Sequence, residues 1–236
     1  MPALDLVIST KPSHSVRALQ VSAAFDVPVH DEQTMEWHGS VPIEERDWNV
    51  GLIVGPSGSG KTQCSRQLFG ADFDKRMAWS APSVIDDFAD GHSIEEIMNI
   101  CSAVGFNTIP AWLRAYEVLS NGEKFRVEIA RRLLEHGDPI VVDEFTSVVD
   151  RQVAKIASYA VAKFVRKTGR KFVAVSCHSD IMEWLTPDWI LELPEADFRW
   201  TEEAAGEIPF DGDLRWRSQL RKYATGSGTN LHRFTI

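Results

Sequence analysis

The 236-residue chain has no apolar run approaching the roughly 20 residues a helix needs to cross a bilayer. Its opening, Met1-Pro2-Ala3-Leu4-Asp5, lacks the basic segment and apolar stretch of a secretory signal. Cysteine is scarce. Cys64, Cys101 and Cys177 are scattered, odd in number and not at metal-ligand spacing, which argues against a disulfide framework and fits a reducing compartment. A cytoplasmic location is expected. No internal repeat is found. An excess of positive charge is also missing: 25 basic against 34 acidic residues give a net charge of −9, unlike a nucleic-acid coat. That deficit is uneven, because the stretch 214–236 has no acid and carries Arg215, Arg217, Arg221, Lys222 and Arg233.

What the chain does have is ordinary soluble composition, 44% hydrophobic and 25% charged, and length enough to bury a sizeable core. Its most informative stretch is Gly55-Pro56-Ser57-Gly58-Ser59-Gly60-Lys61-Thr62, directly after the apolar run 50–54. This fits G-x-x-x-x-G-K-[ST]. Glycines let the backbone curl so that successive N–H groups converge on an anion, and the following helix adds its positive end. Lys61 supplies a charge for the β- and γ-phosphates of a nucleoside triphosphate, and the Thr62 hydroxyl can reach Mg²⁺. Residues 55–62 and the adjoining Gln63 are therefore assigned to nucleotide binding.

Along the chain, 5–9, 16–25 and 34–37 read as short strands, and 49–54 as a buried strand leading into the phosphate loop. A helix over 61–69 should end at Gly70, and another is expected at 94–104. The spacing of Phe125, Ile129, Leu133 and Leu134 predicts a helix over 121–136, with Glu123, Lys124, Glu128, Arg131 and Arg132 on its wet face. Gly137 at a left-handed position and Pro139 beyond it should stop that helix. A strand at 140–142, a helix at 151–167 burying Val153, Ile156, Ala160 and Phe164, and a strand at 171–177 follow. This rhythm implies an α/β fold with a mainly parallel sheet flanked by helices. After Leu193 periodicity fades.

Four later elements narrow the phosphate loop to one family. Leu119-Ser120-Asn121-Gly122-Glu123, with Arg126 and Ala130, resembles the signature motif of the ATP-binding-cassette (ABC) superfamily. The run 140–144, ending in Asp143 and Glu144, resembles its Walker B strand, and Thr146-Ser147-Val148-Val149-Asp150 its D-loop. His178, at a strand end, is similar to the family's switch histidine. Ser120 to Glu123 is also a capping box, S-x-x-E, and the two roles are compatible: a capped first turn presents donors and a positive dipole to an anion. Asn121 and Glu123 replace a glycine and a glutamine of the usual pattern.

The resemblance implies a P-loop NTPase three-layer core with an N-terminal antiparallel β subdomain and a compact helical signature subdomain over about 84–137, together forming an ATPase domain at 1–193. A C-terminal extension with a basic, aromatic tail occupies 194–236. It also implies ATP and Mg²⁺ as cofactors. Thr62 and Asp143 would hold the metal, Glu144 would orient the attacking water, and His178 would sense the γ-phosphate. Lys61 would assist, and Ser120, Asn121 and Gly122 would close the pocket of a second subunit in a homodimer.

One family feature is missing. The glutamine expected before the signature is absent from 77–83, where Ser80, Ser83 or Asp86 could substitute. The adenine-stacking aromatic has two candidates, Phe25 and Trp37. The tail, with Trp216 and Tyr223 among its basic residues, could grip nucleic acid. It could equally dock as an amphipathic helix on the acidic body. The absent glutamine and this tail favour an ATPase serving a nucleic-acid transaction, with nucleic acid or a nucleic-acid-modifying protein as partner. By residues 119–126 and 143–150 the chain resembles cassettes that some bacterial proteins carry fused to an acetyltransferase-like domain. The energising subunit of a membrane transporter is the alternative. A small-molecule kinase is opposed by the signature and D-loop.

Overall fold

Residues 50–54, all buried, form the strand around which the fold is organised. The computed structural model describes residues 3–28, 33–75 and 77–201. Its strands and helices are, in order, β1 (Ala3–Thr10), α1 (Val16–Phe25), β2 (Gln33–Ser40), β3 (Val50–Val54), α2 (Lys61–Phe69), α3 (Ile94–Ala103), α4 (Ile109–Trp112), α5 (Asn121–Glu135), β4 (Ile140–Val142), α6 (Arg151–Thr168), β5 (Phe172–Ser176), α7 (Ile181–Leu185), β6 (Trp189–Glu192) and β7 (Asp197–Trp200). A five-stranded sheet has the order β4-β5-β3-β6-β7, and β1 with β2 makes a separate two-stranded antiparallel sheet. Within the larger sheet β4, β5, β3 and β6 run parallel, and β7 closes the edge antiparallel to β6. This is the fold class expected.

The parallel strands are continuous apolar runs because both their faces are covered. One core joins the two sheets: Leu4, Trp37, Val41, Ile43 and Trp48 pack with Ile53, Val173, Val175, Trp189 and Leu191. Close approach at its centre depends on Gly51, where an added Cβ would overlap the Trp189 indole. Trp189 in turn meets Trp48 edge-on at 5.4 Å.

Several expectations need correction. Segment 16–25 is a helix and not a strand. Ser15 caps it by accepting from Ala18 N, Asp26 ends it in a left-handed conformation, and none of its residues is buried. The strands at 5–9 and 34–37 are present as parts of β1 and β2. In α6 the buried residues are Ala154, Ala157, Ser158, Val161, Ala162 and Val165, whereas Ile156 is 40% exposed. The buried stripe of α6 is therefore made mostly of small residues, offset from the one expected. Arg132, expected on the wet face of α5, is buried and donates to the carbonyls of Phe73 and Lys75. Gly137 does not take the left-handed position. The α5 cap is His136 in an extended conformation, and the Arg170 guanidinium reaches the carbonyls of Leu133 and His136. Those orphan carbonyls therefore need no glycine turn. The tail residues proposed to bind or dock lie outside the described residues.

Candidate nucleotide site

The loop between β3 and α2 leaves the sheet at the carboxyl ends of the parallel strands, where ligands bind in open α/β sheets. Gly58 and Gly60 have φ of 81° and 86°, left-handed values that favour glycine. Gly60 is the N-cap of α2. Lys61 is buried and folds back into its own loop, donating to the carbonyls of Gly55 at 2.8 Å and Pro56 at 2.7 Å. Ser59 is buried too, and its Oγ has no hydrogen-bond partner among the described residues. Gly55 N donates to Ser176 O on β5, tying the loop to the neighbouring strand. Pro56, Ser57 and Gly58 are exposed, and Gln63 is exposed on the first turn of α2.

The Thr62 hydroxyl donates to Asp143 Oδ2 at 2.6 Å. Two oxygens from separate elements thus meet at the start of α2, a donor set that suits a hard cation such as Mg²⁺. The other Asp143 oxygen accepts from Glu144 N at 2.8 Å, which fixes the carboxylate plane.

The turn after β4 is unusual. Glu144 and Thr146 have φ of 52° and 70°, and such conformations cost about 1–3 kcal/mol each in residues other than glycine. They are held from below. Phe145 is fully buried against Phe125 and Phe172, its N–H donates to Val175 O, and its carbonyl accepts from Ser176 Oγ. Glu144 itself is exposed and accepts at Oε2 from Ser147 Oγ at 2.6 Å. Asp150 then caps α6, accepting from Gln152 N and Val153 N.

Ser176 also accepts from the backbone N of His178 at 3.2 Å. One hydroxyl therefore ties the Glu144 turn to the expected switch histidine, a link with no signal in the sequence. Ser120 caps α5 with the reciprocal bonds of a capping box to Glu123. Those bonds from Ser120 hold the Glu123 carboxyl below the usual glutamate range. Asn121 and Gly122 form the first turn of that helix, Asn121 exposed and Gly122 half-buried. Burial pushes the Arg126 guanidinium below the ordinary arginine range, and the nearby Glu123 and Asp150 carboxylates oppose this.

Of the candidates to replace the missing glutamine, Ser83 and Asp86 bond to each other at 2.6 Å. Asp87, not singled out from sequence, instead holds the loop by accepting from Ser80 N and Ala81 N. Trp37 is a core residue, whereas Phe25 is 74% exposed on α1. Core packing thus occupies one of the two adenine-stacking candidates. No helix among the described residues is long and apolar enough to cross a membrane.

No protein-family model matches the chain. It is 30% identical over 154 residues to the energy-dependent translational throttle protein EttA of Haemophilus influenzae, covering 64% of this chain and 25% of that one. It is 25% identical over 118 residues to the ribosome protection protein VmlR of Bacillus subtilis, covering 42% and 21%. The chain thus spans about a quarter of the length of the curated relatives it matches. Among solved structures it resembles a dimeric bacterial ABC transporter cassette with a TM-score of 0.54 at 15% identity, over 72% of this chain and 93% of that one. A dimeric post-hydrolysis cassette bound to ADP and Pi gives 0.56 at 13%, over 85% and 98%. The chain thus has the fold of these ATP-binding cassettes, with the loop between β3 and α2, the capped start of α5 and the acidic turn after β4 following one another in sequence on it.

Proposed function

We propose that the chain binds and hydrolyses ATP as an ATP-gated homodimer in the cytoplasm. The observation that carries this reading is the meeting of Thr62 and Asp143 at 2.6 Å, with Lys61 folded beside them and Glu144 next in sequence. Residues 55–63 would wrap the phosphates, Lys61 exchanging its two backbone carbonyls for β- and γ-phosphate oxygens. The orphaned Ser59 hydroxyl and the Thr62–Asp143 oxygens fit Mg-nucleotide. Bound there, Mg²⁺ supplies charge neutralisation to the phosphates. Glu144 orients the attacking water and accepts its proton. His178, held by Ser176, faces the γ-phosphate.

Ser120, Asn121 and Gly122 present the positive end of α5 to the γ-phosphate bound by a twin protomer. The dimeric form of the two similar cassettes supports this arrangement. ATP shared between protomers stabilises the dimer by mass action, and hydrolysis releases it. The direct test is phosphate release from ATP by wild type and by Glu144→Gln. The reading expects hydrolysis in the first, strong loss in the second, and retained ATP binding in both.

The coupled process is a nucleic-acid transaction in this proposal. The two relatives, a translational throttle protein and a ribosome protection protein, point the first assay to ribosomes. ATPase stimulation by ribosomes or RNA, weakened by salt, supports it. Stimulation only in the presence of a co-purifying membrane protein favours the transporter alternative.

A further inference from the structure

Glu144 sits on an exposed turn, where a glutamate side chain samples many rotamers. Here it does not sit free. The Ser147 hydroxyl donates to Oε2 at 2.6 Å, and Ser147 N donates to the Glu144 carbonyl at 2.9 Å. Ser147 is half-buried, and it is the side-chain donor that this carboxylate has among the described residues. The backbone beneath cannot shift to compensate. Phe145 is buried and pinned to β5 through Val175 and Ser176, while Asp143 holds the Glu144 N–H.

We propose that Ser147 is a positioning residue for hydrolysis: by occupying Oε2 it leaves Oε1 as the oxygen that receives the attacking water and fixes the direction in which it points. The inference rests on the proposed role of Glu144. A carboxylate has two equivalent acceptors, and tying one to a fixed hydroxyl converts a mobile base into an aimed one. The positive φ at Glu144 and Thr146 brings the Ser147 side chain back over Glu144 within a three-residue span. Without that turn the two side chains would point along opposite faces of an extended segment.

The test compares Ser147→Thr with Ser147→Val, which have the same shape and differ by one hydroxyl. Ser147→Thr should keep kcat close to wild type. Ser147→Val should lower kcat about 10- to 100-fold, with the KM for ATP and ATP-induced dimerisation equal in both. In a Glu144→Gln background the Thr and Val variants should have the same residual rate, because the hydroxyl then has no base to aim. Equal kcat for Thr and Val in an otherwise native chain overturns the inference. So does a kcat loss in the Val variant that persists in the Glu144→Gln background. Should Val disturb folding, Ser147→Ala serves as the second hydroxyl-free variant under the same criteria. A wild-type chain without ATPase activity, or a Glu144→Gln chain at wild-type rate, would instead sink the reading of the site as a whole.

Discussion

The Thr62 hydroxyl and Asp143 Oδ2 lie 2.6 Å apart although 81 residues separate them in the chain. The parallel pairing of β3 with β5 and of β5 with β4 makes this possible, because it brings the loop after β3 and the turn after β4 to one edge of the sheet. A site built from two loops at one edge can be tested loop by loop.

Lys61→Ala should weaken ATP binding by about 100-fold, from loss of a buried charged donor worth on the order of 3 kcal/mol. Equilibrium titration with a fluorescent ATP analogue measures it. The fold should survive, since among the described residues the Lys61 side chain bonds to loop carbonyls alone.

Ser120 has two roles that substitution can separate. Ser120→Ala removes the cap of α5 and should cost about 1 kcal/mol, a fall of about 2–4 °C in Tm. Ser120→Asp keeps a capping oxygen and should hold the Tm, yet it adds negative charge where γ-phosphate is expected and should abolish ATP-dependent dimerisation. Calorimetry and analytical ultracentrifugation on the same samples distinguish the two.

A second capping box, Ser93 with Glu96, starts α3, and it shares with that of α5 an expected acid sensitivity. Glu96 and Glu123 are each held below the usual glutamate range by backbone and side-chain bonds from Ser93 and Ser120. A depressed folded pKa adds stability that is present above the unfolded glutamate value and is lost as pH falls through the folded one. Thermal stability should therefore decline as pH drops below the ordinary glutamate range. That decline should be shallower in Glu96→Gln/Glu123→Gln, whose amides cap without titrating.

Gly51→Ala should destabilise by about 1–3 kcal/mol, since its Cβ would overlap the Trp189 indole in the middle of the core. Chemical denaturation measures the loss, and a second change of Trp189→Phe should recover part of it.

The parallel core and the site loops were legible because their chemistry is local. A G-x-x-x-x-G-K-[ST] stretch, an apolar strand ending in two acids and an S-x-x-E cap each carry their signal within a few residues. What stayed hidden depends on distant partners. Segment 16–25 mixes β-branched and apolar residues without a helical stripe because that helix buries nothing, so no face is selected. The end of α5 rests on Arg170, 35 residues beyond Glu135, and no local turn residue reports it. Arg132 looks like a surface residue until the carbonyls of Phe73 and Lys75 arrive to bury it. The β7 strand gains its place by pairing with β6, and its Phe198 and Trp200 pack on the core. Ser147 appears in sequence as one residue of a D-loop. Only the left-handed turn at Glu144 and Thr146 turns it toward the carboxylate.

One protomer should hold half of each working pocket, with a second copy completing it. Specific ATPase activity across a wide range of protein concentration, paired with sedimentation of the same samples, tests this most directly. Turnover per protomer should rise with concentration and level off as the ATP-bound dimer forms. Undiminished turnover at concentrations where only monomer sediments would contradict it.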